Sequence, residues 1–124
     1  ADLASFSAGM AYLNIKDYNT AIEYLKDFSS DDILLSALAK GAIGDAYAQL
    51  DQSDQALNYY TQAIKASENM YTSPKYLFKA GLLSSALDKN SQALSYFKRI
   101  KNDYPTSEEA SQVEIQIGRL ENIN

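Results

Sequence analysis

Apolar residues along this chain recur three and four positions apart almost throughout: Ala8, Ala11, Tyr12 and Ile15 in one segment, Leu34, Leu38, Ala42 and Ala46 in the next. That spacing gathers them on one side of an α-helix, and no stretch shows the strict alternation of a half-buried strand. The breaks between segments carry residues with a local reason to start a helix. Ser29 and Ser30 precede the acidic pair Asp31 and Asp32, and Ser73 precedes Pro74, whose missing N–H is tolerated in a first turn. Thr106 followed by Glu109 predicts a capping box directly after the stop at Pro105, hydroxyl and carboxylate each satisfying an orphan backbone N–H. The pattern predicts seven helices, over 3–15, 18–28, 31–50, 53–68, 74–87, 90–103 and 107–121. Short connections make sequential neighbours antiparallel hairpins.

The stretch GDAYAQLDQSDQALNYYTQA, Gly44 to Ala63, has two counterparts: GMAYLNIKDYNTAIEYLKDF from Gly9 to Phe28 and GLLSSALDKNSQALSYFKRI from Gly81 to Ile100. Each opens on Gly and carries Ala twelve residues later, and Gly118 keeps the phase, the intervals being 35, 37 and 37. A hairpin too small to bury its own apolar face stacks on the next copy, which makes the expected architecture an all-α solenoid.

These residues resemble the tetratricopeptide repeat (TPR), a two-helix unit with small residues where helices cross and aromatics between them. In the middle copy Ile43, Gly44, Tyr47, Ala56, Tyr60 and Ala63 fall on six of the eight signature positions, with Lys40 in place of the usual Trp and Glu68 in place of the usual Pro. The third copy keeps Gly81, Ala93, Phe97 and Pro105; the first keeps Gly9, Tyr12, Tyr18 and Ala21, with Leu25 in the aromatic slot. The resemblance implies three hairpins, about 2–30, 31–70 and 73–105, and a C-terminal capping helix over 106–122, within one domain spanning 1–124. Glu114 and Glu121 stand where a further repeat would carry Trp and Tyr, which predicts a solvated outer face for that last helix. YPTSEEA before a further helix is similar to bacterial cell-envelope TPR proteins, and on that likeness an extracytoplasmic location is expected, with the cytoplasm as the alternative.

Composition narrows the function. The net charge of −5 disfavours nucleic acid, and Lys98, Arg99 and Lys101, near Lys89, read as a solvated helix face. No window approaches the roughly 20 apolar residues that span a bilayer, so no direct membrane insertion by this chain is expected. The chain begins at Ala1 without Met, as expected of a processed product or a fragment whose upstream part would hold any anchor. With no His and no Cys, triad catalysis, thiol chemistry and the usual zinc sites are removed, and neither an enzyme nor a cofactor is expected. Asp31 and Asp32 suit helix capping, whereas Asp51 and Asp54 lack the glycine and terminal glutamate of a calcium loop. Among the tyrosines, Tyr12, Tyr47 and Tyr60 occupy repeat positions and read as core; Tyr59, Tyr71 and Tyr76 have no such slot and read as candidate surface contacts.

By resemblance, TPR arrays hold a peptide or helix of a partner protein in a groove lined by the first helix of each hairpin. Groove positions five, nine and twelve of the register are Phe6, Met10 and Leu13; Gly41, Asp45 and Ala48, with Gln49 adjoining; Phe78, Leu82 and Ser85; then Ile115 and Arg119. These slots are mainly apolar, which argues against a Lys, Asn and Arg clamp on a peptide carboxylate. The expected function is a scaffold for an apolar or amphipathic segment of a protein partner. The alternative is a structural or oligomerisation module of a cell-envelope assembly, its apolar groove covered by its own oligomer or by an upstream segment.

Overall fold

A computed structural model describes residues 3–122, and all regular secondary structure among them is helical. The elements are α1 (Leu3–Asn14), α2 (Tyr18–Asp27), α3 (Ile33–Gln49), α4 (Ser53–Ala66), α5 (Ser73–Ala86), α6 (Asn90–Asp103) and α7 (Ala110–Glu121). The described residues fall into two compact units, one ending at Ser67 and the other beginning at Glu68.

In the first unit α1 pairs with α2 and α3 with α4, and α3 also packs on α2 and touches α1. Its core is Ala21, Leu25, Ala37, Ile43, Ala46, Ala56, Tyr60 and Ala63. In the second unit α5 pairs with α6, and α7 lies on α6. Tyr76, Leu77, Ala80, Ala93, Phe97, Ile100, Val113 and Ile117 are buried there. No described helix is long and apolar enough to cross a membrane.

Each hairpin turns by one device. Lys16, Asp51 and Asp88, each seven residues after its repeat glycine, adopt left-handed backbone with φ of 67°, 58° and 60°. The next residue then donates its N–H back into the helix: Asp17 to the Tyr12 carbonyl at 2.9 Å, Gln52 to Tyr47 at 2.9 Å, Lys89 to Ser84 at 2.8 Å. This is the closed C-terminal turn that satisfies otherwise orphaned carbonyls.

Two expected helix starts are corrected. The third helix begins at Ile33 and not at 31, because Asp32 is its cap, accepting from the N–H groups of Leu34 and Leu35 at 3.0 and 3.2 Å. The capping box at Thr106 and Glu109 does not form. Ser107 Oγ accepts instead from the Ala110 N–H at 3.1 Å and donates to the Tyr104 carbonyl at 2.8 Å, so α7 starts at Ala110 after a turn. Ser107 thus ties the turn that leads into α7, whose N-cap, Glu109, makes no side-chain capping bond.

Candidate interaction surface

The repeat register has a direct steric meaning. A methyl group placed on Gly9 would lie 2.6 Å from Leu25 Cγ, one on Gly44 2.7 Å from the Tyr60 ring, and one on Gly81 2.5 Å from the Phe97 ring. In every hairpin the glycine of the first helix is thus the notch that seats the bulky residue of the second. Four residues before each bulky group stands Ala21, Ala56 or Ala93, all fully buried, where the helices cross. Two hairpins share a further pair in the same register, Tyr12 stacked on Tyr24 with centroids 5.4 Å apart and Tyr47 on Tyr59 at 5.6 Å. In the third hairpin Ser84 takes the first of these places. It is fully buried, and its hydroxyl has no hydrogen-bond partner among the described residues.

The groove residues expected from sequence can be placed helix by helix. On α1, Phe6, Met10 and Leu13 are all half-buried, Phe6 because its ring meets Phe28 at 5.2 Å. On α3, Gly41 is buried and Ala48 half-buried; Asp45 is half-buried and accepts from the Tyr60 hydroxyl at 2.7 Å, while Gln49 is exposed. On α5, Phe78 is half-buried with its ring 5.8 Å from that of Phe97, and Leu82 is 40% exposed. Ser85 accepts from Arg119 of α7 at 3.2 Å, which brings the Leu82 and Ser85 face of α5 beside α7. Ile115, one turn before Arg119, is 79% exposed.

Position five of the register therefore faces the second half of its own hairpin as much as the outside: Phe78 meets Phe97 of α6, and Phe6 meets Phe28, the residue that ends α2. Ile115 has the same register position on α7, where no helix among the described residues lies over it.

A family model for the tetratricopeptide repeat matches residues 4–28 and 37–70, and a second model for that repeat matches residues 75–107. The chain belongs to the tetratricopeptide repeat family. A comparison with curated protein sequences finds no match. Among solved structures, the first TPR of Spaghetti (RPAP3) bound to the HSP90 peptide SRMEEVD is 19% identical, with 96% of this chain and 89% of that one aligned at a TM-score of 0.74. Two crystal structures of MamA are 26% identical over 94% of this chain, at TM-scores of 0.74 and 0.73. This TPR chain spans 64% and 60% of the two MamA chains.

Contacts between successive TPR hairpins contain what sequence reasoning missed. Lys26 of α2 donates to the Tyr47 hydroxyl at 2.7 Å and lies over the Tyr47 and Tyr59 rings, while Lys40 of α3 lies over Tyr59 from 5.7 Å. The bond to Tyr47 holds the Lys26 proton more tightly than usual, against the smaller opposing effect of burial. Lys40, in the Trp slot, thus replaces a ring with a cation above a ring. In the second unit Lys98 has the register position of Lys26, and it pairs with Glu121, which has that of Tyr47, at 3.1 Å; Lys101 pairs with Glu114 at 2.9 Å. Glu114 and Glu121, expected on a solvated outer face, are exposed, and their ion pairs also tie α7 to α6. Lys98 and Lys101 are likewise occupied rather than idle, and Arg99 pairs with Glu68 and Asp103.

Of the tyrosines expected at the surface, Tyr71 is 77% exposed, Tyr59 is half-buried in the stack with Tyr47, and Tyr76 is core. Tyr76 is corrected because the helix phase turns it inward, with Lys75 and Lys79 over its ring. Among the described residues no group of three or more Asp or Glu is arranged to hold a metal ion.

Proposed function

We propose that this TPR protein is an interaction scaffold that holds an apolar or amphipathic segment of a partner protein on the outer faces of its first helices. The observation that carries it is in the second unit. There Leu82, exposed on α5 one turn from Ser85, stands beside the hydrogen bond by which Arg119 joins α7 to α5. An apolar side chain left in the open at a junction of two first helices, with a polar rim, suits a partner's apolar anchor. In the first unit Met10, Leu13 and Asp45 occupy the corresponding register positions of α1 and α3, with Gln49 adjoining, and they are proposed to take part in the same way. The likeness to a TPR domain solved with a peptide supports a peptide or protein as the class of partner.

Leu82→Ser tests the reading. As a surface change it should leave stability within about 0.5 kcal/mol and weaken capture of the native partner on the order of tenfold. Phe78→Ser is the contrasting control, since its half-buried ring on Phe97 makes it a stability change first. Undiminished capture by a folded Leu82→Ser protein would move the site to another face.

A further inference from the structure

Helices α5 and α6 pair as a hairpin, so the turn that leads into α5 and the turn that leaves α6 meet at one end of the second unit. Between the two turns lies a cavity of about 230 Å³, walled by Met70 and Tyr71 on one side and by Tyr104 and Pro105 on the other, with Asp103 the one charged residue of its lining. Met70 is 63% and Tyr71 77% exposed, yet the turn that carries them is firmly tied. Asn69 Oδ1 accepts from the N–H groups of Tyr71 and Thr72, both at 2.8 Å. The Asn69 amide donates to Thr72 Oγ1 at 2.8 Å, and Ser73 Oγ accepts from the Asn69 N–H at 2.9 Å. Thr72 and Ser73 are buried, which anchors the turn from below. Ser107 ties the opposite wall through its bonds to the Tyr104 carbonyl and the Ala110 N–H. Both walls are thus in place before anything binds, which lowers the ordering cost of binding.

We propose that this cavity takes an arginine side chain of a partner protein, the guanidinium plane against the Tyr71 ring and its N–H groups toward Asp103. Size selects one side chain, since about 230 Å³ lies below the roughly 300–1,000 Å³ of small-molecule sites. The lining selects a planar cation: two tyrosine rings and a thioether offer polarizable faces, on which a weakly hydrated guanidinium stacks better than a compact ammonium. Charge points the same way. Arg99 donates from Nη2 to Glu68, while its Nε stands 3.7 Å from Asp103, beyond hydrogen-bond length. Two carboxylates therefore share one guanidinium, and Asp103, with its side chain 58% exposed, keeps acceptor sites for a second. The net charge of −5 favours the approach of a cationic segment.

A second copy of these residues is the poorer occupant, because Arg99 is engaged with Glu68 and Asp103, and Arg119 with Ser85 and Gln116. A proline-rich segment would suit the rings but would bring Asp103 no donor. The site is separate from the scaffold face. Leu82 lies nine residues into α5 from Ser73, about 13 Å along the helix axis.

The probe is the capped tripeptide acetyl-Gly-Arg-Gly-amide, titrated into protein with isotope-labelled tyrosine rings and followed by NMR. The Tyr71 and Tyr104 rings should shift saturably with a Kd on the order of 1 mM, since one side chain brings few contacts. Citrulline in place of the arginine keeps the shape without the charge and should weaken binding about tenfold. Tyr71→Ala and Asp103→Asn should each weaken it about threefold or more while keeping a cooperative melt, both side chains being exposed. Citrulline binding as tightly as arginine, a Tyr104 shift that neither substitution weakens, or no saturable shift overturns the proposal. So does tighter binding of acetyl-Gly-Pro-Pro-Gly-amide, or a shift of the exposed Tyr24 ring as large as that of Tyr71, which would mark diffuse attraction to an acidic surface. In protein expressed from the complete gene the Tyr71 and Tyr104 rings should resonate as in residues 1–124 without peptide. Rings already at the peptide-saturated positions would place an arginine of the protein's own chain in the cavity and overturn the assignment to a partner. Leu82→Ser should leave the titration unchanged, so failure here is distinguishable from failure of the scaffold face.

Discussion

The same substitution at two glycines of the repeat register should have opposite effects. Replacing glycine by alanine in a helix interior gains about 0.5–1 kcal/mol, because the unfolded chain loses freedom that the helix does not use. At Gly118 nothing lies within 4 Å of the new methyl, so Gly118→Ala should keep the whole gain. At Gly81 the methyl would be 2.5, 2.8 and 2.9 Å from three atoms of the Phe97 ring. Carbon atoms rest about 3.5–4.0 Å apart, so the ring would have to move by roughly 1 Å. Phe97 is fully buried, and the Phe78 ring stands beside it at 5.8 Å. Overpacking of this kind costs about 1–3 kcal/mol. The propensity gain is common to both variants, so the difference between them isolates the steric cost, about 1–3 kcal/mol, with Gly81→Ala the less stable. Both glycines lie in the unit that begins at Glu68, so one urea transition followed by circular dichroism reports both. Equal stabilisation by the two substitutions would refute the notch as the reason for glycine in this register.

Asp51→Gly and Asp88→Gly should each stabilise by about 0.5–1 kcal/mol, since an L-residue in left-handed backbone carries a penalty that glycine lacks; a midpoint shift in urea measures it. Ser84→Ala should leave stability unchanged or raise it by up to about 1 kcal/mol, because it removes a buried hydroxyl with no partner; a loss of more than that would reveal an interaction of the hydroxyl. Stability should fall as pH rises past about 10. Burial of Tyr96 raises its pKa above the ordinary 10.0, and the Tyr47 bond raises that of Lys26 above 10.5. A folded-state pKa above the unfolded one contributes stability below the unfolded value and loses it as pH climbs through the folded value, so Tyr96→Phe and Lys26→Met should flatten the alkaline decline in unfolding titrations.

The phase of the repeat was legible in the sequence alone. Gly44, Ala56 and Tyr60 recur with their counterparts at nearly fixed intervals, and steric fit at a helix crossing depends on side-chain size, which sequence states outright. Helix number and approximate ends followed from periodicity for the same reason. Which hydroxyl ties the turn before a helix did not: Thr106 and Ser107 both offer one, and only the path of the turn after Tyr104 chose Ser107. The direction of a side chain was equally out of reach. Phe6 and Phe78 fit an outward helical stripe, yet each ring finds a partner in the second half of its hairpin, Phe28 just past α2 and Phe97 in α6, because a helix face is wide enough to serve two neighbours. Tyr76 was turned inward by the phase of α5, and Lys26 met Tyr47 although 21 residues separate them. Gly118 shows the limit most clearly. Its place in the register is identical to that of Gly81, but whether a glycine notch is filled or open depends on a neighbouring helix, and proximity between helices is a property of the folded chain.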